Sequence, residues 1–155
     1  MVKINSKEME KAIYFDMDGT IADLYGVTNW LDLLRSCNPE PYRAAAPLLE
    51  LQPLARRLNN LQKKGYKIGI ISWSAKNATI EYTEEITNAK KEWLKIHLKS
   101  VKWDEIHIVE YGTPKEKVVD YPLGILFDDE ETNRNNWKGQ AFNERVIKEV
   151  LKAIA

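Results

Sequence analysis

Four short apolar runs alternate with helix-like segments along this chain of 155 residues, and this alternation restricts the possible folds more than any other feature. The strands predicted around these runs occupy residues 12–16, 67–72, 105–110 and 123–127, and a weaker one follows within 137–142. Short apolar strands that alternate with helices predict βαβ units and a parallel sheet covered by helices on both faces. We therefore expect an α/β fold with a three-layer, Rossmann-like arrangement, in a single domain that spans residues 1–155.

Apolar residues at helical spacing predict two of the helices. They are Leu54, Leu58 and Leu61 in the first helix, and Ile86, Ala89, Trp93 and Ile96 in the second. Pro53 suits the first position of the first helix, and Gly65 suits the position just after its end. The second helix is longer and is predicted over about 82–99.

Capping signals predict two further helix starts. Thr113 and Glu116 have the spacing of a capping box, and Pro114 between them suits a first helical position. A short helix should therefore begin there, with Lys115 in its first turn. Asn143 is expected to cap a final helix.

The stretch between the first strand and the first clear helix, about 22–52, is irregular and rich in proline and alanine. Residues 30–34 have the pattern of a short helix, and a cluster of helix breakers follows at 38–41. We expect this stretch to form a small helical insert over the tip of the first strand.

The composition excludes several classes of protein. Lysine plus arginine and aspartate plus glutamate each number 23, so there is no net charge of the kind that a general nucleic-acid or membrane-surface binder carries. The single cysteine, Cys37, favours a reducing, cytoplasmic compartment. Met1 to Lys11 lack the apolar core of a signal peptide, and no apolar run is long enough to span a membrane. We expect no membrane partner, and the oligomeric state stays open.

Polar side chains follow the predicted strands at the points where the strands end. The set comprises Asp16, Asp18, Ser72, Asp128 and Asp129, and Lys115 comes from the helix after the third strand. Because all strands of a parallel sheet end at the same edge, these side chains should lie close together. Clustered carboxylates repel one another unless a cation lies among them, and oxygen ligands of this kind suit Mg²⁺.

The other members of the set are suited to holding phosphate. Ser72 offers a hydroxyl group, and Lys115 offers a positive charge beside the backbone N–H groups of a helix start. A metal site, a phosphate site and a spare carboxylate together predict phosphoryl transfer.

At these residues the sequence resembles the haloacid dehalogenase-like (HAD) superfamily. Asp16-Met17-Asp18-Gly19-Thr20 looks like the first motif of that family, and Ser72, which closes an apolar strand, is similar to the second. Lys115 resembles the third motif, and Asp128-Asp129 resembles the fourth. The four motifs occur in the family's order, and the resemblance covers residues 11–137.

The resemblance implies a phosphate monoester hydrolase that works through an aspartyl-phosphate. Asp16 would be the nucleophile, and Asp18 would protonate the leaving oxygen and then activate water. Mg²⁺ would bind Asp16, the backbone carbonyl of Asp18, and Asp128. Asp129 would orient Lys115 or a water molecule on the metal.

The remaining motif residues would bind the substrate phosphate. The resemblance implies this role for Ser72 and Lys115, with Gly19 and Thr20 in the turn beside them; Gly19 would let the chain leave the strand sharply. Ser74 competes with Ser72 for the role, and Lys117 competes with Lys115.

The substrate is expected to be a small phosphorylated metabolite or a nucleotide. The insert resembles a small cap, and small helical caps also occur in 5'(3')-deoxyribonucleotidase-like members of the family. A 5'-nucleotidase is therefore a narrower interpretation of the same chemistry, with Tyr25, Trp30 and Trp73 as candidates for stacking on a base.

Two interpretations without turnover also fit a pocket of this kind. One is a non-catalytic phosphate- or nucleotide-binding protein, and the other is a phosphoacceptor regulatory domain. Asp18, in the general-acid position beside Asp16, favours hydrolysis over both.

Overall fold

A computed structural model describes residues 9–155, and its centre is a five-stranded parallel sheet. The strands in chain order are β1 (Ala12–Phe15), β2 (Ala22–Asp23), β3 (Ala46–Pro47), β4 (Lys67–Trp73), β5 (Glu105–Val109), β6 (Ile125–Phe127) and β7 (Ala141–Phe142). The central sheet has the order β5-β4-β1-β6-β7, and every neighbouring pair is parallel. The predicted α/β class and Rossmann-like arrangement are confirmed.

The connections between the strands place helices on both sides of the sheet. The helices are α1 (Trp30–Arg35), α2 (Glu40–Ala44), α3 (Leu51–Lys63), α4 (Ile80–His97), α5 (Glu131–Asn136) and α6 (Ile147–Ile154). The chain moves from β1 to β4 to β5 in one direction, and from β6 to β7 in the other. Because such crossovers are right-handed, α3 and α4 cover one face, and the connections after β5 and β6 cover the opposite face.

β1 is the central strand, and all four of its side chains are fully buried. Ile13 and Phe15 pack on the face that carries α3, α4 and α6, whereas Tyr14 packs on the other face against Trp137. Burial on both faces explains why the strand is a continuous apolar run instead of an alternating one.

The stretch between β1 and α3 contains the short antiparallel pair β2–β3 and the two small helices α1 and α2. It is attached to α4. Leu24 and Tyr42 pack against Ile86 of α4 in a small apolar cluster, and the indole N–H of Trp93 donates to the carbonyl of Ala45 at 2.8 Å.

Two details of the predicted helices are wrong. α3 begins at Leu51, two residues before Pro53; proline is tolerated there because N–H groups in the first turn have no partner within the helix. The spacing of Ile96 predicts a place on the buried face of α4, but this side chain is 61% exposed. The predicted end of α3 is confirmed, since Gly65 follows it with a φ of +94°.

The prediction of a capping box at Thr113 is also wrong. The Thr113 hydroxyl donates to the carbonyl of Glu110 at 2.7 Å instead of capping a helix. Pro114 precedes a single 3-10 turn over Lys115–Lys117, so the expected helix is only one turn long. Asn143 does cap, because its side chain accepts a bond from the N–H of Arg145 in the 3-10 turn that leads into α6.

Within residues 9–155, no helix combines the length and the apolar character that crossing a bilayer requires. The expectation that the N-terminus lacks a signal peptide concerns a stretch of which residues 1–8 lie outside the described part of the chain.

Candidate active site

Asp16 follows β1 directly and is almost fully buried, with 6% of its surface exposed. Its backbone N–H donates to the carbonyl of Phe127 in β6 at 2.9 Å, which ties the end of β1 to the neighbouring strand. The Lys115 ammonium donates to Asp16 Oδ1 at 2.9 Å, and the Thr20 hydroxyl donates to Asp16 Oδ2 at 3.0 Å. Both oxygens of this carboxylate are therefore held in place.

The turn after Asp16 brings Thr20 back toward the sheet. The N–H groups of Thr20, Ile21 and Ala22 all donate to the carbonyl of Met17 at 3.0 Å, which closes the turn tightly. Gly19 adopts a φ of +79°, and a Cβ at this position would overlap the carboxylate of Asp129. The turn therefore requires glycine for both its conformation and its contact with the loop after β6.

Asp128 follows β6 and is completely buried. Lys115 donates to its Oδ2 at 2.7 Å, and the side-chain amide of Asn133 donates to the same oxygen at 3.2 Å. The backbone N–H of Glu130 donates to the other oxygen at 2.9 Å. Asp129 also lies close, because its N–H donates to the Thr20 hydroxyl at 3.1 Å.

One carboxylate oxygen from each of Asp16, Asp128 and Asp129 lies within 4.8 Å of the others. Burial, followed by the charge of Asp16, raises the pKa of Asp128 to about 6 although Lys115 opposes the shift. Burial and then Asp16 raise the pKa of Asp129 to about 8. A set of hard oxygen donors with raised pKa values fits a divalent cation such as Mg²⁺.

Asp18 is turned away from this cluster. Its Oδ2 accepts a hydrogen bond from the ammonium of Lys90 at 2.8 Å, and its side chain is 17% exposed. Burial raises the pKa of Asp18 above its ordinary value, although the charge of Lys90 works against the shift. The cluster of three carboxylates consists of Asp16, Asp128 and Asp129, and the side chain of Asp18 is not part of it.

The two candidate serines have different surroundings. Ser72 is completely buried, and its hydroxyl accepts a hydrogen bond from Lys90 at 2.7 Å. Ser74 lines the cavity beside Asp16, and its hydroxyl has no hydrogen-bond partner among residues 9–155. Of the two serines, Ser74 is therefore the one that lines the cavity and the one whose hydroxyl has no partner within the described residues.

The two candidate lysines differ in the same way. Lys115 is 3% exposed and contacts both Asp16 and Asp128, whereas Lys117 is exposed. Burial alone would lower the pKa of Lys115, but its two carboxylate partners outweigh burial and raise it. The positive charge that Lys115 supplies therefore comes from its ammonium group and not from the start of a helix, since only a 3-10 turn begins there.

A cavity of about 320 Å³ opens above these side chains. Its floor includes Asp16, Asp18 and Lys115. Its walls carry two aromatic pairs: Tyr25 with Trp30 in edge-to-face contact at 5.0 Å, and Trp73 with Tyr111 at 4.8 Å. A cavity of this size, with polar groups at one end and apolar walls, has the form of a small-molecule site.

Sequence reasoning missed Lys90, Asn133 and Tyr111. Lys90 left a detectable signal, because it lies beside Ala89 within the buried stripe of α4, where a lysine is unusual. Asn133 and Tyr111 are in α5 and in the loop after β5, and nothing in their local sequence distinguishes them from surface residues.

A scan against models of protein families found no match to this chain, and a comparison with curated proteins found none either.

Proposed function

We propose that this protein is a Mg²⁺-dependent phosphatase of the HAD type, which hydrolyses a phosphate monoester through an aspartyl-phosphate. The observation that carries the proposal is the setting of Asp16. This carboxylate lies at the end of the central strand, is held by Lys115 and Thr20, and faces a cavity that Asp18 also lines. A fixed carboxylate beside a second one matches a nucleophile with its acid–base partner.

In the first step, an oxygen of Asp16 attacks the phosphorus atom of the ester. The bond from phosphorus to the leaving oxygen breaks, and that oxygen takes the proton of Asp18. The products are the free alcohol, the aspartyl-phosphate of Asp16 and the ionised carboxylate of Asp18. The raised pKa of Asp18 favours the protonated form that this step requires.

In the second step, water attacks the phosphorus atom of the aspartyl-phosphate, and Asp18 accepts a proton from that water. The bond between phosphorus and the Asp16 oxygen breaks. Inorganic phosphate leaves, Asp16 recovers its carboxylate and Asp18 is protonated again. The two carboxylates thus return to their starting states after one turnover.

Asp16, Asp128 and Asp129 offer the oxygens that would hold Mg²⁺. When bound, the ion would neutralise charge on the phosphoryl oxygens. Lys115 contributes a second positive charge at the same place, since it contacts Asp16 and Asp128 directly. Ser74 would donate its otherwise unpartnered hydroxyl to a phosphoryl oxygen, a role that the motif resemblance assigns to Ser72.

A nucleoside monophosphate is the narrower candidate substrate. The observation that favours it is the aromatic lining of the cavity, which Tyr25, Trp30, Trp73 and Tyr111 share with the carboxylates. A base could stack on such rings while the phosphate meets Asp16 and Lys115. The indole N–H of Trp73 donates to the carbonyl of Thr113 at 2.8 Å, which restrains that ring.

The test is hydrolysis of p-nitrophenyl phosphate and of a panel that includes nucleoside 5'-monophosphates, with Mg²⁺ and with EDTA. Activity should require Mg²⁺ and should be abolished in Asp16→Asn. Asp120→Asn, a change at an exposed carboxylate, is the matched control and should retain full activity.

The same panel separates hydrolysis from functions without turnover. No turnover of any ester, together with retained phosphate binding, would support a non-catalytic binding protein. A long-lived phosphoryl group on Asp16 without release of phosphate would support a regulatory phosphoacceptor. Turnover of sugar phosphates but not of nucleotides would remove the narrower proposal and leave the broader one standing.

A further inference from the structure

We propose that Lys90 is a positioning residue for Asp18, which it holds in the orientation needed for general acid catalysis. This inference rests on the proposed phosphatase function. Lys90 comes from the middle of α4, and only 1% of its side chain is exposed. It does not line the cavity, so it would act through Asp18 and not on the substrate.

The ammonium group of Lys90 is fully occupied. It donates to Asp18 Oδ2 at 2.8 Å, to the Ser72 hydroxyl at 2.7 Å and to the carbonyl of Trp73 at 2.7 Å. A lysine has three N–H donors, and three acceptors account for all of them. The ring of Tyr42 lies 5.0 Å from the same nitrogen and adds a cation–π contact.

These contacts join two separate parts of the site. Asp18 belongs to the turn after β1, whereas Ser72 and Trp73 are the last residues of β4. By binding both, Lys90 sets the position of the Asp18 carboxylate relative to the two strand ends. Without Lys90, the Asp18 side chain would be free to change rotamer within the cavity that it lines.

The two carboxylate oxygens of Asp18 differ in their hydrogen bonding, and this difference fits the positioning role of Lys90. Oδ2 is taken by Lys90, while Oδ1 accepts no hydrogen bond from residues 9–155. Asp18 lines the cavity, so Oδ1 is the oxygen available to carry the proton to the leaving group. A purely structural residue at this buried position would more simply be apolar, because burying an ammonium group is costly.

The proposal predicts an effect that depends on the leaving group. An alkyl alcohol leaves as a strong base and needs the proton of Asp18, whereas nitrophenolate is a weak base and leaves without one. Loss of the correct orientation of Asp18 should therefore slow the hydrolysis of alkyl esters much more than that of p-nitrophenyl phosphate. A residue that only supports the fold would affect both substrates equally.

The experiment compares Lys90→Met with wild type on p-nitrophenyl phosphate and on the alkyl monoester of the panel that the wild type hydrolyses fastest. We expect kcat/KM to fall about 100-fold for the alkyl ester, the scale of general acid catalysis, and less than about fivefold for p-nitrophenyl phosphate. Lys91→Met, at the exposed neighbouring position of the same helix, should leave both values unchanged. Equal losses on the two esters would overturn the proposal.

A second variant guards against misfolding of Lys90→Met, in which Asp18 would be left without its cation. The double variant Asp18→Asn/Lys90→Met removes both charges together. If Lys90 acts only through Asp18, the double variant and the single variant Asp18→Asn should differ in kcat/KM by no more than about twofold on either ester. A further tenfold loss would refute the proposal. Wild-type protein that hydrolyses neither ester would refute the proposed function itself, which keeps the two failures distinct.

Discussion

Lys115 donates a 2.9 Å hydrogen bond to Asp16, although the two residues lie 99 positions apart in the chain. The same ammonium group contacts Asp128 at 2.7 Å, so a single buried cation links the ends of β1 and β6. Its raised pKa keeps Lys115 charged at neutral pH, where the carboxylates around it need compensation.

Replacing Lys115 with methionine should damage both stability and activity. Removing one partner from a buried ion pair leaves a carboxylate uncompensated, which costs about 3–5 kcal/mol of unfolding free energy. Loss of the charge near the phosphoryl group should lower kcat by about 100- to 1,000-fold. Urea unfolding and steady-state kinetics measure the two effects.

Lys117→Met is the control for the lysine variant, because Lys117 is exposed two positions along the same 3-10 turn. It should change neither quantity appreciably. If both variants behaved alike, the contacts of Lys115 with Asp16 and Asp128 would not be important for function.

The metal-free protein should lose stability as the pH rises toward 8. The pKa of Asp129 in the folded protein is about 8, whereas an unfolded aspartate titrates near about 4. Between these values the folded state binds the proton more tightly than the unfolded state does, so the free energy of unfolding falls with increasing pH. The measurement is the melting temperature in EDTA from pH 5 to pH 8.5.

Asp129→Asn removes this titration and should flatten the pH dependence. Mg²⁺ should also raise the wild-type melting temperature most strongly near pH 8, since the cation binds the ionised carboxylates. Identical pH profiles for the variant and the wild type would contradict the assignment of the effect to Asp129.

Gly19→Ala should lower the free energy of unfolding more than the same change at another glycine with positive φ. At Gly19 the added methyl group meets the carboxylate of Asp129 as well as the strained backbone. At Gly65 nothing lies within 4 Å, so only the left-handed strain of about 1–2 kcal/mol applies. Urea unfolding should show the larger loss for Gly19→Ala, and only that variant should lose phosphatase activity. Equal effects would mean that the contact with Asp129 carries no energy.

Alanine substitutions of Ser74 and Ser72 should have different effects on activity and stability. Ser74→Ala should lower kcat/KM about 10- to 100-fold with little change in stability, because it removes one hydrogen bond to a charged phosphate. Ser72→Ala should instead lower stability by about 1–3 kcal/mol, since it deprives Lys90 of a buried acceptor. The reverse pattern would identify Ser72 as the phosphate ligand.

The fold was largely predictable because its signals are local. The apolar run that opens residues 12–16 predicted a buried strand, and β1 is fully buried at the centre of the sheet. The wrong predictions concern local sequence patterns that are compatible with two different structures. Thr113 had the sequence of a helix cap, but its hydroxyl found a carbonyl acceptor on Glu110 instead.

The sequence predicted that Asp16, Asp128 and Lys115 lie close together, but it predicted neither their individual contacts nor the presence of Lys90, Asn133 and Tyr111 beside them. Parallel strands bring Asp16 and Asp128 to one edge of the sheet, and the chain order alone was enough to expect this. The partners of Asp18 and Ser72 could not be expected, because both bind Lys90, which lies 72 and 18 positions away along the chain.

The sequence by itself determined the strands of the central sheet, their parallel pairing and the carboxylates at their ends, because apolar periodicity and strand-end chemistry act over a few neighbouring residues. The tertiary structure alone decided which charge lies against which carboxylate. Lys115 forms ion pairs with Asp16 and Asp128, and Lys90 forms one with Asp18. Those choices depend on how α4 and the connection after β5 pack against the sheet, and packing sets distances of a few ångströms that residue spacing does not encode.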